Sequence, residues 1–294
     1  MRYALVYHVL SGQAWFGAAF LFLLIILLDQ AAFFDPRPKL KRLALALLLL
    51  LLPLAALSGT PLSIWLAAPV VIASLAYAFL GFAHASRGRR RALGVSAACL
   101  VLLAAVLEVP YHLGPAPAPS GARKAYIIGD SITAGGFGER CTYPRLLSEL
   151  TGCEVQDLAH AGGTVESACQ FQAPRLASDD PPALVLLEIG GNDMFQGTPP
   201  GQFADYLERL IVAARGSGPR PRRVLMLELP VVPGCWAFGR QQRQLARKHG
   251  VELIPKRVLA GVLLDERNTV DGIHLTQAGH DRLAALLARW VGRP

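Results

Sequence analysis

Read by its succession of apolar and polar positions, the chain falls into two unlike halves. Four long apolar stretches fill the first 110 residues: about Leu5 to Leu28, Leu43 to Leu57, Leu62 to Phe82 and Ala92 to Val109. Charged residues gather in the gaps between them. A helix rises about 1.5 Å per residue, so roughly 20 apolar residues cross the hydrocarbon of a bilayer. Four transmembrane helices are therefore predicted, the second of them short unless Leu40 and Ser58 are included. Pro53 and Pro69 fall inside spans, where neighbouring helices can satisfy the backbone groups a proline frees. The first stretch is too long for a signal peptide, lacks a small-residue cleavage site and is followed by three more.

From Lys124 onward, short apolar runs alternate with amphipathic ones. Strands are predicted at Lys124–Ile128, Cys153–Leu158, Ala183–Ile189, Val224–Leu229 and Val251–Ile254. Helices are predicted at Tyr143–Leu150, around Val165–Ala177, Phe203–Arg215, Gly239–His249 and Gln277–Val291, the last capped by Thr276. This alternation implies an α/β domain: a mostly parallel sheet covered by helices on both faces, with its site at the carboxyl ends of the strands. Between the halves, residues 113–121 alternate Pro and Ala and predict an extended spacer. The expected organisation is a four-span region over 1–112, a linker over 113–121 and a folded domain over 122–294.

Charge sharpens this division. Residues 1–120 hold nine Lys or Arg against three acidic side chains, so most of the net charge of +8 belongs to the membrane half. The excess sits between apolar runs and not on a folded surface, which argues against nucleic acid as a partner. It reads instead as a topology signal. The segments Asp29–Arg42 and Ala83–Arg91 carry four basic residues each, whereas Ser58–Pro61 carries none. By the positive-inside rule both basic loops are cytoplasmic. The expectation is an integral cytoplasmic-membrane protein with the second half on the extracytoplasmic side. Cys141, Cys153, Cys169 and Cys235 in that half are compatible with two disulfides or with four free thiols. No Cys/His spacing resembles a zinc site.

The candidate chemistry lies at the predicted strand ends or just before the final helix. Ser131 follows the first strand within Gly129-Asp130-Ser131 and precedes the glycine-rich Ala134-Gly135-Gly136. A serine hydroxyl becomes a useful nucleophile when a base takes its proton and a third group orients that base. His274 and Asp271 are spaced so that one turn, eased by Gly272, presents both. His160 is the nearest alternative histidine and is expected to be structural. Negative charge on a carbonyl oxygen under attack calls for preorganised donors. Gly162 or Gly163 after the second strand offers a backbone N–H, and Asn192 after the third offers a side-chain amide.

In this order, Gly129-Asp130-Ser131, Gly162, Gly190-Gly191-Asn192-Asp193 and Asp271-Gly272-Ile273-His274-Leu275 resemble the four sequence blocks of the GDSL/SGNH hydrolases over about residues 124–291. Ile132 stands where the family name has Leu, and the second block, Asp157-Leu158-Ala159-His160-Ala161-Gly162, fits loosely. The resemblance implies a three-layer α/β/α fold and a triad of Ser131, His274 and Asp271. It also implies an oxyanion hole from the Ser131 and Gly162 N–H groups and the Asn192 amide, with no metal or organic cofactor. The implied activity is hydrolysis of acyl esters through an acyl-serine, with lipid or lysophospholipid esters slightly favoured over O-acetylated cell-envelope glycans. Acyl transfer to a sugar or lipid hydroxyl is the alternative. Met194-Phe195 and Cys235-Trp236-Ala237-Phe238 are expected to line the acyl pocket. Four spans exceed what anchoring needs, leaving open a membrane partner, a lipid site or a homo-oligomer interface.

Overall fold

The computed structural model describes residues 4–83, 86–116, 122–176, 183–217 and 221–292. Residues 117–121 of the expected spacer, and Ala177 at the end of one expected helix, lie outside them. Chain contacts separate two compact units, His8–His112 and Leu113–Pro294 with Met1–Tyr7.

The leading apolar stretch is two helices, α1 (Ala4–Leu10) and α2 (Gln13–Gln30), of which α2 lies wholly in the first unit. Gly12 divides them, with its φ of 82° in the left-handed region that glycine enters without a Cβ penalty. Three long helices follow: α3 (Pro38–Leu57), α4 (Ile64–Phe82) and α5 (Arg87–Leu113). Together with α2 they are long and apolar enough to cross a membrane. One face of each packs inward, as with Trp15, Ala18, Phe22, Ile25 and Ile26 of α2. The outward positions are apolar too: Phe20, Leu50, Ile72, Phe79 and Val106 are all exposed. A helix that is apolar all round fits lipid or a protein interior, because a water-facing bundle carries polar residues outside.

At one end of this unit the carboxylate of Asp29 is buried. It accepts a hydrogen bond from the Tyr77 hydroxyl at 2.6 Å and lies 3.1 Å from Arg90 Nε and 3.4 Å from Lys41 Nζ. One carboxylate thus ties all four long helices together.

The second unit is built on five parallel strands: β1 (Lys124–Gly129), β2 (Glu154–Asp157), β3 (Ala183–Glu188), β4 (Arg223–Leu227) and β5 (Glu252–Ile254), in the order β2-β1-β3-β4-β5. Alternation along the strands sends their side chains to two cores. Tyr126, Ile128, Val185 and Leu187 pack under α10 (Pro200–Arg215) and α11 (Trp236–His249). Ala125, Ile127, Leu184 and Leu186 pack under α7 (Tyr143–Thr151), α12 (Lys256–Leu263) and α13 (Gln277–Val291). Three layers result, as expected. The expected helix around Val165–Ala177 is broken: one α turn, α8 (Val165–Ser167), runs into a π turn at Ala168–Gln172 and a tight turn at Ala173–Arg175 that contains Pro174. The short helices α6 (Ser131–Ala134) and α9 (Gly191–Gln196), and the longer α12, were not foreseen.

The strand order reverses direction between β1 and β3, where a doubly wound sheet opens a crevice at its carboxyl edge. Gly129 at the end of β1 pairs with Glu188 at the end of β3. The loops that leave these two strands are therefore delivered to the same crevice.

Candidate active site

The turn after β1 is set by local chemistry. The Asp130 side chain accepts the Ile132 N–H at 2.9 Å and caps α6, so Ser131 becomes the first helical residue. A Cβ on Gly129 would collide with the Thr133 side chain, so the turn needs glycine there. Gln172, from the π turn, grips both backbone groups of Gly129, at 3.0 Å each.

His274 arrives from a hairpin ahead of α13. The Val270 N–H donates to the His274 carbonyl at 2.8 Å, and Thr269 pairs with Leu275. Gly272 takes a φ of 91° at the tip. Asp271 Oδ1 accepts the N–H groups of Ile273 and His274 at 3.0 and 2.8 Å, which aims Oδ2 at His274 Nδ1, 2.6 Å away. The backbone N–H of His274, then its ring and the Ile273 N–H, hold the Asp271 carboxyl down to about 2. It is a carboxylate at neutral pH, so Nδ1 of the neutral ring carries the proton and Nε2 is left as an acceptor. Nε2 lies 3.1 Å from Ser131 Oγ. The structure thus brings Ser131, His274 and Asp271 into one hydrogen-bonded row.

Beside this row stand unused donors. Among the described residues, the N–H groups of Ser131 and Gly162 find no acceptor. The Gly163 N–H, the alternative to Gly162, is occupied by the His160 carbonyl at 2.9 Å. Asn192, in the first turn of α9, gives one amide hydrogen to the Gly163 carbonyl at 3.0 Å, which fixes the plane of the amide and leaves its second hydrogen available. Asp193 accepts the Val165 N–H at 3.0 Å and joins this loop to the one after β2. The His160 ring is exposed, and only its backbone serves the turn.

Beneath Ser131 lies a buried carboxyl pair that sequence reasoning passed over. Burial pushes Asp130 up to about 6, and burial together with the nearby Asp130 charge pushes Glu188 well above the carboxylate range. Glu188 accepts from Thr133 Oγ1 at 2.8 Å. Thr133 in turn meets the buried Tyr143 hydroxyl at 2.8 Å. Gln172 carried no sequence signal, because its contact spans 43 residues. The expected pocket-lining segments divide: Met194 and Phe238 are buried in the core, Phe238 against Phe203 at 4.8 Å between ring centroids, whereas Phe195 is exposed. All five cysteines are free thiols. Among the described residues no cluster of His, Cys, Asp or Glu is placed to hold a metal ion.

Residues 127–282 match the GDSL-like Lipase/Acylhydrolase family, a stretch that spans more than half of the chain and contains Ser131, Gly162, Asn192, Asp271 and His274. The chain belongs to this family. The GDSL-like domain is 28% identical over 174 residues to Esterase TesA of Pseudomonas aeruginosa, covering 56% of this chain and 85% of that protein. It is 25% identical over 185 residues to an arylesterase of Vibrio mimicus, covering 58% and 90%. Against Thioesterase 1/protease 1/lysophospholipase L1 of Escherichia coli K12 the identity is 26% over 169 residues, covering 55% and 80%. The crystal structure of TesA is 28% identical, with a TM-score of 0.49, over 56% of this chain and 95% of that one. The chain is thus an acyl-ester hydrolase of the GDSL/SGNH type, carrying four helices of membrane-spanning length ahead of its hydrolase domain.

Proposed function

We propose that this protein is a membrane-anchored serine hydrolase that cleaves acyl esters at the extracytoplasmic face of the cytoplasmic membrane, using Ser131 as nucleophile. The observation that carries the reading is the row Ser131 Oγ–His274 Nε2 (3.1 Å) and His274 Nδ1–Asp271 (2.6 Å), set beside donors with nothing else to bind. His274 takes the Ser131 proton as Oγ attacks the ester carbonyl, and Asp271 stabilises the imidazolium. The N–H groups of Ser131 and Gly162 and the second amide hydrogen of Asn192 receive the oxyanion. Collapse releases the alcohol, protonated by His274. Water, deprotonated by the same imidazole, then cleaves the acyl-Ser131 ester.

Lipid or lysophospholipid acyl esters are the favoured substrates, above O-acetylated envelope glycans. The support is the apolar membrane region on the same chain, together with relatives named as an esterase and as a thioesterase/lysophospholipase. Extracytoplasmic placement rests on the basic segments around Arg37–Arg42 and Arg87–Arg91.

The test uses the full chain in detergent. Hydrolysis of p-nitrophenyl esters from acetyl to palmitoyl, and of lysophosphatidylcholine, is measured for wild type and Ser131→Ala. Turnover that vanishes with Ser131 supports the proposal, and release of free fatty acid from the lysolipid supports the substrate class. Wild-type turnover that survives Ser131→Ala refutes the nucleophile. Ester product formed with an added sugar or glycerol acceptor, in preference to free acid, would move the reading to acyl transfer. A periplasm-active reporter fused after Pro294 that stays silent would refute the orientation.

A further inference from the structure

The loop between α6 and α7 is absent from the triad mechanism, yet it is built in detail. Gly135, Gly136 and Gly138 all take positive φ, and a Cβ on Gly135 would collide with the side chains of Glu139 and Thr142. The Glu139 carboxylate closes the loop on itself, accepting the N–H groups of Gly136 and Phe137 at 2.6 and 2.9 Å. Gln277, three residues after His274, accepts the N–H groups of Arg140 and Cys141 at 2.8 and 3.0 Å and donates to the Cys141 carbonyl at 3.1 Å. The loop and the histidine hairpin are therefore fastened at one residue.

The result of this bracing is a single contact. The Phe137 ring lies flat on the His274 imidazole, with centroids 3.8 Å apart and planes inclined by 19°. Phe137 is 41% exposed, so burial in a core does not account for the position of its ring.

We infer that Phe137 is a positioning residue for the general base: its ring holds the imidazole in the plane that points Nε2 at Ser131 and stabilises the positive charge the ring acquires during attack. The face of an aromatic ring is electron-rich and attracts a cation laid against it. With a neutral imidazole the contact is weak. In the transition state it is charged and the contact strengthens, and only such differential interactions raise kcat. The inference rests on the reading of Ser131, His274 and Asp271 as a triad.

Phe137→Leu keeps an apolar cover over His274 but removes the aromatic face, whereas Phe137→Tyr keeps the face. Both are made in the full chain in detergent and assayed with p-nitrophenyl acetate and octanoate. From the range of cation–π contacts, Phe137→Leu is expected to lower kcat by about 2- to 30-fold, equally on both esters and with KM unchanged. Phe137→Tyr should stay within about twofold of wild type, since its ring face is retained. The pKa of the general base, the lower one in kcat/KM against pH, should fall by about 0.3–1.5 pH units in Phe137→Leu, because the imidazolium loses its partner. A loss that resides in KM and grows with acyl length would make Phe137 a substrate contact and overturn the proposal, as would a leucine variant equal to wild type. The His274 ring titration by NMR, identified by difference from His274→Gln, needs no turnover. A wild type with no Ser131-dependent activity would sink the triad reading, while an unchanged His274 pKa in Phe137→Leu would sink this one.

Discussion

Asn192→Ala isolates one part of the proposed mechanism. Its side chain makes one structural bond, to the Gly163 carbonyl at 3.0 Å, and its second amide hydrogen is unclaimed. Loss of the structural bond removes a typical intramolecular hydrogen bond, about 1 kcal/mol of stability. For a domain of this size that lowers Tm by roughly 2–4 °C, so the variant remains folded at assay temperature. Loss of the free hydrogen acts elsewhere. A donor aimed at a developing oxyanion contributes about 2.7–4 kcal/mol to the barrier, or roughly 100- to 1,000-fold in kcat. The uncharged ground-state carbonyl gains little from it, so KM should hardly move. Steady-state hydrolysis of a short p-nitrophenyl ester gives kcat and KM, and a thermal melt gives Tm. Asn192→Asp, which replaces the donor with a carboxylate, should lose at least as much. A kcat within about tenfold of wild type for the alanine variant, at normal Tm, would remove Asn192 from the oxyanion hole.

Three other outcomes are expected from the packing. Arg243 and Glu228 form a buried ion pair at 2.6 Å, and Glu228 also accepts the Lys256 N–H at 3.2 Å. Arg243→Met strands the carboxylate and should cost about 3–5 kcal/mol in denaturant melts; adding Glu228→Gln should recover much of it, and a double variant no better than the single would refute the argument. The Asp130–Glu188 pair makes stability depend on pH. Asp130 holds its proton up to about 6 in the folded chain against 3.8 otherwise, so the folded state binds more protons and stability falls as pH rises from about 4 to 6. Asp130→Asn can still cap α6 but cannot ionise, and Tm plotted against pH should flatten over that window; an unchanged slope would assign it to other groups. Finally, all five cysteines should alkylate under denaturing, non-reducing conditions, and intact mass would reveal any pair protected as a disulfide.

The apolar stretches were legible as spans because lipid imposes a length and a composition that any window of the sequence displays. The division of the first stretch at Gly12 was not, since one glycine inside an apolar run looks like many others until its φ of 82° is seen. Five strands and the capped final helix were read from local periodicity, and each expected strand overlaps an observed one. Helix α12, in contrast, was overlooked behind Pro255, and α9 was hidden because Gly190-Gly191-Asn192-Asp193 has the composition of a turn. The extended helix expected from Val165 gave way to a π turn whose Gln172 reaches β1.

The sequence by itself determined which residues are the candidates and that they fall at strand ends or just before the final helix, because a motif and an element boundary are both short-range properties. Only the tertiary structure decided how those ends meet. Ser131 and His274 are 143 residues apart in the chain, and the β2-β1-β3-β4-β5 order, which no periodicity encodes, brings the ends of β1 and β3 together. It also distinguishes Gly162 from Gly163, since the His160 carbonyl occupies the Gly163 N–H and leaves that of Gly162 without an acceptor among the described residues. The thiol state of the cysteines and the Phe137 ring on His274 belong with these. Each depends on which distant groups become neighbours, and that is set by packing the two faces of the sheet as a whole.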